Sequence, residues 1–83
     1  MKEEIVIRDD SIRLGQLLKL AGVVETGGEG KQRIQAGEVK VNGLIETKRG
    51  RQLFDGDEVE LAGKVLKVVR KENPLQPAFR ASR

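Results

Sequence analysis

The sequence predicts an α+β fold in which a helical hairpin packs on a small antiparallel β-sheet. Leu14, Leu17, Leu18 and Ala21 fall at i, i+3, i+4 and i+7, the apolar stripe of an amphipathic helix. After a short connection, Thr26 opens a second helical stretch. From Val39 onward the apolar period changes to two, interrupted at Asn42-Gly43, Asp55-Gly56-Asp57 and Ala62-Gly63, where chain reversals are expected.

In order, Glu4–Arg8 is a β-branched opening strand, and Asp9, Asp10 and Ser11 punctuate it and offer the candidate cap of a first helix that starts near there. Gly22 stops that helix, and Leu20 widens its apolar face toward Val23 and Val24. Thr26 with Glu29 forms a capping-box pattern: the hydroxyl accepts from the Glu29 N–H, and the Glu29 carboxylate reaches back to the Thr26 N–H. Gly30, Ile34 and Gly37 then predict a close helix approach, a core anchor and a helix stop. Gly30 costs this helix about 1 kcal/mol relative to alanine, so its stability must come from packing.

Val39 and Val41 alternate with Glu38 and Lys40 and run into Asn42-Gly43, a two-residue hairpin signal, with a return strand through Leu44, Ile45 and Glu46. Thr47–Arg51 is a basic loop, Leu53 re-enters the core, and strands follow at Glu58–Leu61 and Lys64–Val69. Residues 1–71 therefore form one domain, and 72–83, which hold both prolines, are expected to be a flexible tail.

With 83 residues the chain supports one core. It has no cysteine and no histidine, which excludes disulfides, thiolate zinc sites, imidazole acid–base chemistry and cysteine nucleophiles. Asp55, Asp57, Glu58 and Glu60 are the dense acidic set, but they match no calcium loop and are explained by a turn and the solvent face of a strand. The expectation is a protein that is not an enzyme, with no cofactor, no metal and no small-molecule substrate. No apolar run approaches a membrane span and the start lacks a secretory layout, so a soluble cytoplasmic protein is expected.

The net charge of +3 is unevenly spread. Residues 1–30 carry four cations against six anions, and 52–63 carry four anions alone, so both segments are acidic. Residues 31–51 carry six cations against Glu38 and Glu46, and 64–83 carry six against Glu72. Two basic blocks of this kind point to a polyanion partner if the fold keeps them together on the surface; a merely solvated charged surface is the alternative.

The leucine helix ending Leu17-Leu18-Lys19-Leu20-Ala21-Gly22, the capped second helix, Gly37-x-Val39-x-Val41-Asn42-Gly43 and Gly56-Asp57-x-Val59 together resemble the RNA-binding domain named after ribosomal small-subunit protein four, the alpha-L motif. The likeness runs from about Ser11 to Leu61 and extends to short bacterial members made of this domain alone. It departs at Gly27, where the family often has arginine, at Gly30, where it often has alanine, and at Arg33, where it tends to be apolar. The lost arginine removes one expected phosphate contact; the N–H groups of Gly27 and Gly28 offer a weaker substitute, opposed by Glu29.

The resemblance implies RNA docking on the second helix and the adjoining strand, through Lys31, Arg33 and Lys40, with Lys48, Arg49 and Arg51 as the denser cation cluster in the hairpin arm. Phe54 and Phe79 are the sole aromatics, so phosphates and RNA shape, as in helical or junction RNA, are the expected target rather than stacked single strands. Ribosomal RNA or a ribosomal subunit is the implied partner of a monomer, with a role in ribosome assembly or translation. The competing expectation is a small non-catalytic adaptor that uses the sheet and acidic turn to bind a protein.

Overall fold

The computed structural model describes residues 2–71; Met1 and the expected tail at 72–83 lie outside the described residues. The elements run β1 (Lys2–Ile7), β2 (Ile12–Arg13), α1 (Leu14–Leu20), α2 (Gly27–Gln35), β3 (Val39–Val41), β4 (Leu44–Ile45), β5 (Gln52–Leu53), β6 (Glu58–Leu61) and β7 (Lys64–Arg70). Five strands form one sheet in the order β1-β7-β6-β3-β4, while β2 and β5 form a separate ribbon.

The α+β architecture is present, with one difference in the sheet. β3, β4, β6 and β7 pair antiparallel as expected, but β1 lies parallel to β7, with Ile5 opposite Val68 and Ile7 opposite Arg70, so the sheet is mixed. The N-terminal strand thereby makes β7 an interior strand, which explains why Val65, Leu66, Val68 and Val69 place apolar side chains on both faces. Strand alternation says which face of β1 is apolar but does not set its direction, because no local turn joins it to a neighbour.

The helices cover one face of the sheet. Leu14, Leu17 and Leu18 from α1 and Ile34 from α2 are fully buried with Val39, Val41, Val59, Leu61, Leu66 and Val68, and Leu53 returns to the same core from β5. Burying a leucine or valine contributes about 1.5–3 kcal/mol, so this cluster outweighs the weak intrinsic propensity of two short helices.

Three local expectations change. α1 starts at Leu14 rather than near Ser11, because Ile12 and Arg13 first pair with Leu53 and Gln52; its N-cap is Arg13, whose N–H donates to Gln16 Oε1 at 3.3 Å. Thr26 caps α2 by accepting from the Glu29 N–H at 3.1 Å, but the Glu29 carboxylate accepts from the Glu25 N–H at 2.9 Å instead of from Thr26. Gly30 is buried, yet a methyl there would meet Val24 Cγ2 at 3.5 Å, ordinary van der Waals contact with the interhelix loop, so no helix approach demands glycine.

The Asn42-Gly43 turn is left-handed at both positions, with φ of 52° and 87°. Its asparagine also ties two turns together: Asn42 Oδ1 accepts from the Glu58 N–H at 3.0 Å, and Nδ2 donates to Asp57 Oδ1 at 3.2 Å.

Candidate nucleic-acid interface

The basic loop between β4 and β5 is fastened to the start of α1 through the backbone. The Leu14 N–H donates to the Arg51 carbonyl at 2.8 Å and the Gly15 N–H to the Arg49 carbonyl at 3.0 Å, so two amides with no intrahelical partner are satisfied by the loop itself. Gly15 lies directly under Arg49: a Cβ on it would stand 3.6 Å from Arg49 Cβ. The β2–β5 ribbon extends this attachment, and the result is that Arg49 projects over the first turn of α1.

Beside it opens a cleft of about 270 Å³. Its backbone lining is glycine, from Gly15 on α1, Gly27 on α2 and Gly50 on the loop, and its charged lining is Arg13, Lys19 and Arg49, joined by Gln16. The three cations are exposed and none has an acidic partner among the described residues. A recess lined by three glycines and by three cations with no acidic partner among the described residues fits a compact anion such as a phosphate diester.

The six cations singled out from sequence are distributed differently. Arg49 lines the cleft. Arg51 instead grips Glu46, with Nη1 to Oε1 at 2.6 Å, while the Lys48 N–H donates to the other Glu46 oxygen at 3.1 Å. The Arg51 hydrogen bond, supported by the Lys48 amide, holds the Glu46 carboxyl below the usual carboxylate range. Lys48 projects its own ammonium from the same loop, exposed and unpaired.

On α2, Arg33 lies between Glu29 at 3.5 Å and Glu38 at 3.7 Å, whereas Lys31 is exposed and has no acidic partner among the described residues. Lys40 alternates with the buried Val39 and Val41, so it projects from the sheet face turned away from the helices, opposite Glu60 and Ile45 in register. The structure thus gathers Arg49 with two cations that the sequence reading did not single out, Arg13 and Lys19. Counting residues 1–30 as a net acidic segment concealed them; the three-residue spacing of Arg13, Gln16 and Lys19, which sets a polar ridge beside the leucine stripe, is the signal that reveals them.

The acidic turn is committed to structure. Asp57 Oδ2 accepts from the Phe54 N–H and Asp55 Oδ1 from the Arg70 N–H, both at 2.8 Å. Glu58 is paired with Lys2 across β7 at 2.9 Å, and that hydrogen bond lowers its carboxyl pKa. Among the described residues no three carboxylates gather where they could hold a metal ion, and no helix is long and apolar enough to cross a membrane.

Comparison with known proteins places the chain in a family. The S4 domain family matches residues 5–69. A probable ribosome maturation protein of Bacillus subtilis (strain 168), RlbA, is 44% identical over 63 residues, covering 76% of this chain and 89% of its own. YbcJ of Escherichia coli (strain K12), named as a candidate RNA-binding protein, is 40% identical over 58 residues, covering 70% of this chain and 83% of its own. The solution structure of E. coli YbcJ, described as revealing an αL motif involved in RNA binding, superposes with a TM-score of 0.60 at 34% identity over 82% of this chain and 85% of that one.

Proposed function

This chain belongs to the S4 domain family, and from that premise we propose that it binds structured RNA of the ribosome through the glycine-lined cleft, as a non-catalytic monomer acting in ribosome assembly or translation in the cytoplasm. The observation that carries the reading is the meeting of Arg13, Lys19 and Arg49 around Gly15, Gly27 and Gly50 with no carboxylate paired to them among the described residues. A phosphate in the recess makes charge-assisted contacts with the three side chains, while Lys31 and Lys48 add longer-range attraction to neighbouring phosphates. Arg33 and Arg51 are held by their carboxylates and act mainly on shape, by fixing α2 to the β3 approach and the basic loop to its base. Among the described residues no aromatic lines the cleft, which favours recognition of backbone geometry over a base sequence.

Binding of the full chain to ribosomal RNA fragments and to duplex DNA of equal length, across a salt series, tests this. RNA is expected to bind preferentially, with log affinity falling against log salt by about 0.7–0.9 per phosphate contact. Arg49→Glu should lower that slope by at least one contact's worth, about 0.7–0.9, in a protein that retains its fold. Equal binding by wild type and variant would overturn the cleft assignment.

One observation favours a protein partner as a second reading: the edge strand β4 leaves Leu44 75% and Ile45 61% exposed. In an adaptor, Leu44→Asp would abolish partner binding and the cleft substitution would leave it intact.

A further inference from the structure

A second depression lies on the other side of the same helical ridge. It is an open groove of about 840 Å³ between the end of β1 and the outward face of α1, with aliphatic walls from Val6, Ile12 and Leu20. Leu20 is 59% and Val6 44% exposed, so two large apolar side chains at its mouth remain wet. Arg8, Asp9 and Ser11 supply polar groups along the β1 side. Neither Arg8 nor Asp9 has a side-chain partner among the described residues; the neighbouring Asp10 is the one that pairs with Arg70, at 3.1 Å.

The groove and the cation cleft share a wall. Gln16 and Lys19 line both. We propose that the groove receives an unstacked nucleobase of the RNA whose backbone phosphate sits in the cleft; this inference rests on the RNA-binding reading above. A base is one sugar away from its phosphate, so a nucleotide anchored at Arg13, Lys19 and Arg49 needs only to cross the Gln16–Lys19 ridge to reach the aliphatic walls.

The chemistry of the groove suits a heterocycle better than a purely apolar ligand. Val6, Ile12 and Leu20 cover ring faces, a role aliphatic side chains fill by excluding water where no aromatic is present. Asp9 accepts from an amino or imino N–H of the base, and Arg8 donates to a ring nitrogen or carbonyl. Gln16 is oriented for the same work: its Oε1 is taken by the Arg13 N–H, which leaves the amide NH₂ to donate. Charge continuity argues for RNA over a peptide, because Lys19 on the shared wall and Arg8 on the β1 side have no acidic partner among the described residues and are available to phosphates on either side of the base. The predicted ligand is therefore RNA with a bulged or junction nucleotide next to a helical segment.

The test compares a fully paired RNA hairpin with the same hairpin carrying one bulged nucleotide, using the full-length wild type, Leu20→Ser and Arg49→Glu. Wild type should favour the bulged RNA by about five- to tenfold, the lower range for one held base. Leu20→Ser should erase that preference and keep the affinity for the paired hairpin, and Arg49→Glu should weaken both RNAs. A photocrosslinking residue, Leu20→p-benzoylphenylalanine, should label the bulged nucleotide. Equal affinity of wild type for the two RNAs, or a bulge preference untouched by Leu20→Ser, overturns the base site while leaving the phosphate cleft standing. A crosslink from position 20 to protein, whether to a second copy or to residues 72–83 of the same chain, also overturns it by naming another occupant. Failure of both RNAs to bind wild type would instead overturn the RNA-binding reading together with the base site.

Discussion

Arg49 of the basic loop and Arg33 of α2 are chemically identical, yet they stand in opposite electrostatic states. Arg49 lines a glycine-rich recess and has no acidic partner among the described residues, whereas Arg33 is shared between Glu29 and Glu38. The loop contains the same contrast within two residues, since Arg51 is bound to Glu46 and Arg49 is not paired with any described carboxylate. Cation density along a chain is therefore a poor guide to an RNA surface. What matters is which cations the fold separates from its own acids, because a guanidinium already holding a carboxylate must give up that contact before it takes a phosphate.

The sharpest way to break this comparison is to reverse the two charges one at a time. Arg49→Glu should lower RNA affinity by about thirty- to a hundredfold, on the order of 2–3 kcal/mol for a charge-assisted contact replaced by repulsion. Arg33→Glu should cost less than about threefold at the same salt, since it removes a partly neutralised charge. Fluorescence anisotropy with one ribosomal RNA hairpin measures both, and equal losses would dissolve the distinction.

A second substitution separates the stability of α2 from its charge. Gly30→Ala should stabilise the fold by about 0.5–1 kcal/mol, because the added methyl finds ordinary contact with Val24 and the unfolded chain loses freedom. Urea unfolding reads that gain, and RNA affinity should stay within about twofold of wild type by the charge argument.

The smaller effects concern the Glu46 clamp. Glu46→Ala should destabilise the fold by less than about 1 kcal/mol, since the Arg51 guanidinium is partly exposed, and should speed exchange of the Lys48 amide. It should also free Arg51, steepening the salt dependence of RNA binding by about 0.7–0.9. Acid gives the same loosening reversibly. The folded-state pKa of Glu46 is lowered, so its contribution is fully present above the usual carboxylate range and is lost as pH falls through the lower folded value. Side-chain NMR of Arg51 followed below about pH 4.5 should show the clamp opening there and no change between pH 6 and 8.

Much of the fold could be read from local patterns. The leucine stripe, the Thr26 cap, the Asn42-Gly43 turn and the alternation of β3 and β6 are short-range signals, and each appears where expected. The parallel pairing of β1 was not legible, because its partner lies some sixty positions away and no turn residue encodes it. The cleft was half legible for a related reason. The resemblance and the density of cations drew attention to Arg49, but Arg13 and Lys19 reach it only because β2 pairs with β5 and the loop carbonyls cap α1. Likewise Lys40 looked equivalent to its neighbours until strand alternation turned it to the opposite face of the sheet.

The pairing of β1 with β7 has a consequence for how the chain is made. Among the described strands Lys2–Ile7 is synthesised first, and the strand it pairs with, Lys64–Arg70, is synthesised last. At translation rates of about 5–20 residues per second, the first strand waits about 3–12 seconds for a partner. Through that interval Ile5, Val6 and Ile7 are an unpaired β-branched segment, and the charges of Lys2, Glu3 and Glu4 at its other end discourage pairing with another nascent chain. The last piece of the sheet to close is thus built from the first residues of the chain.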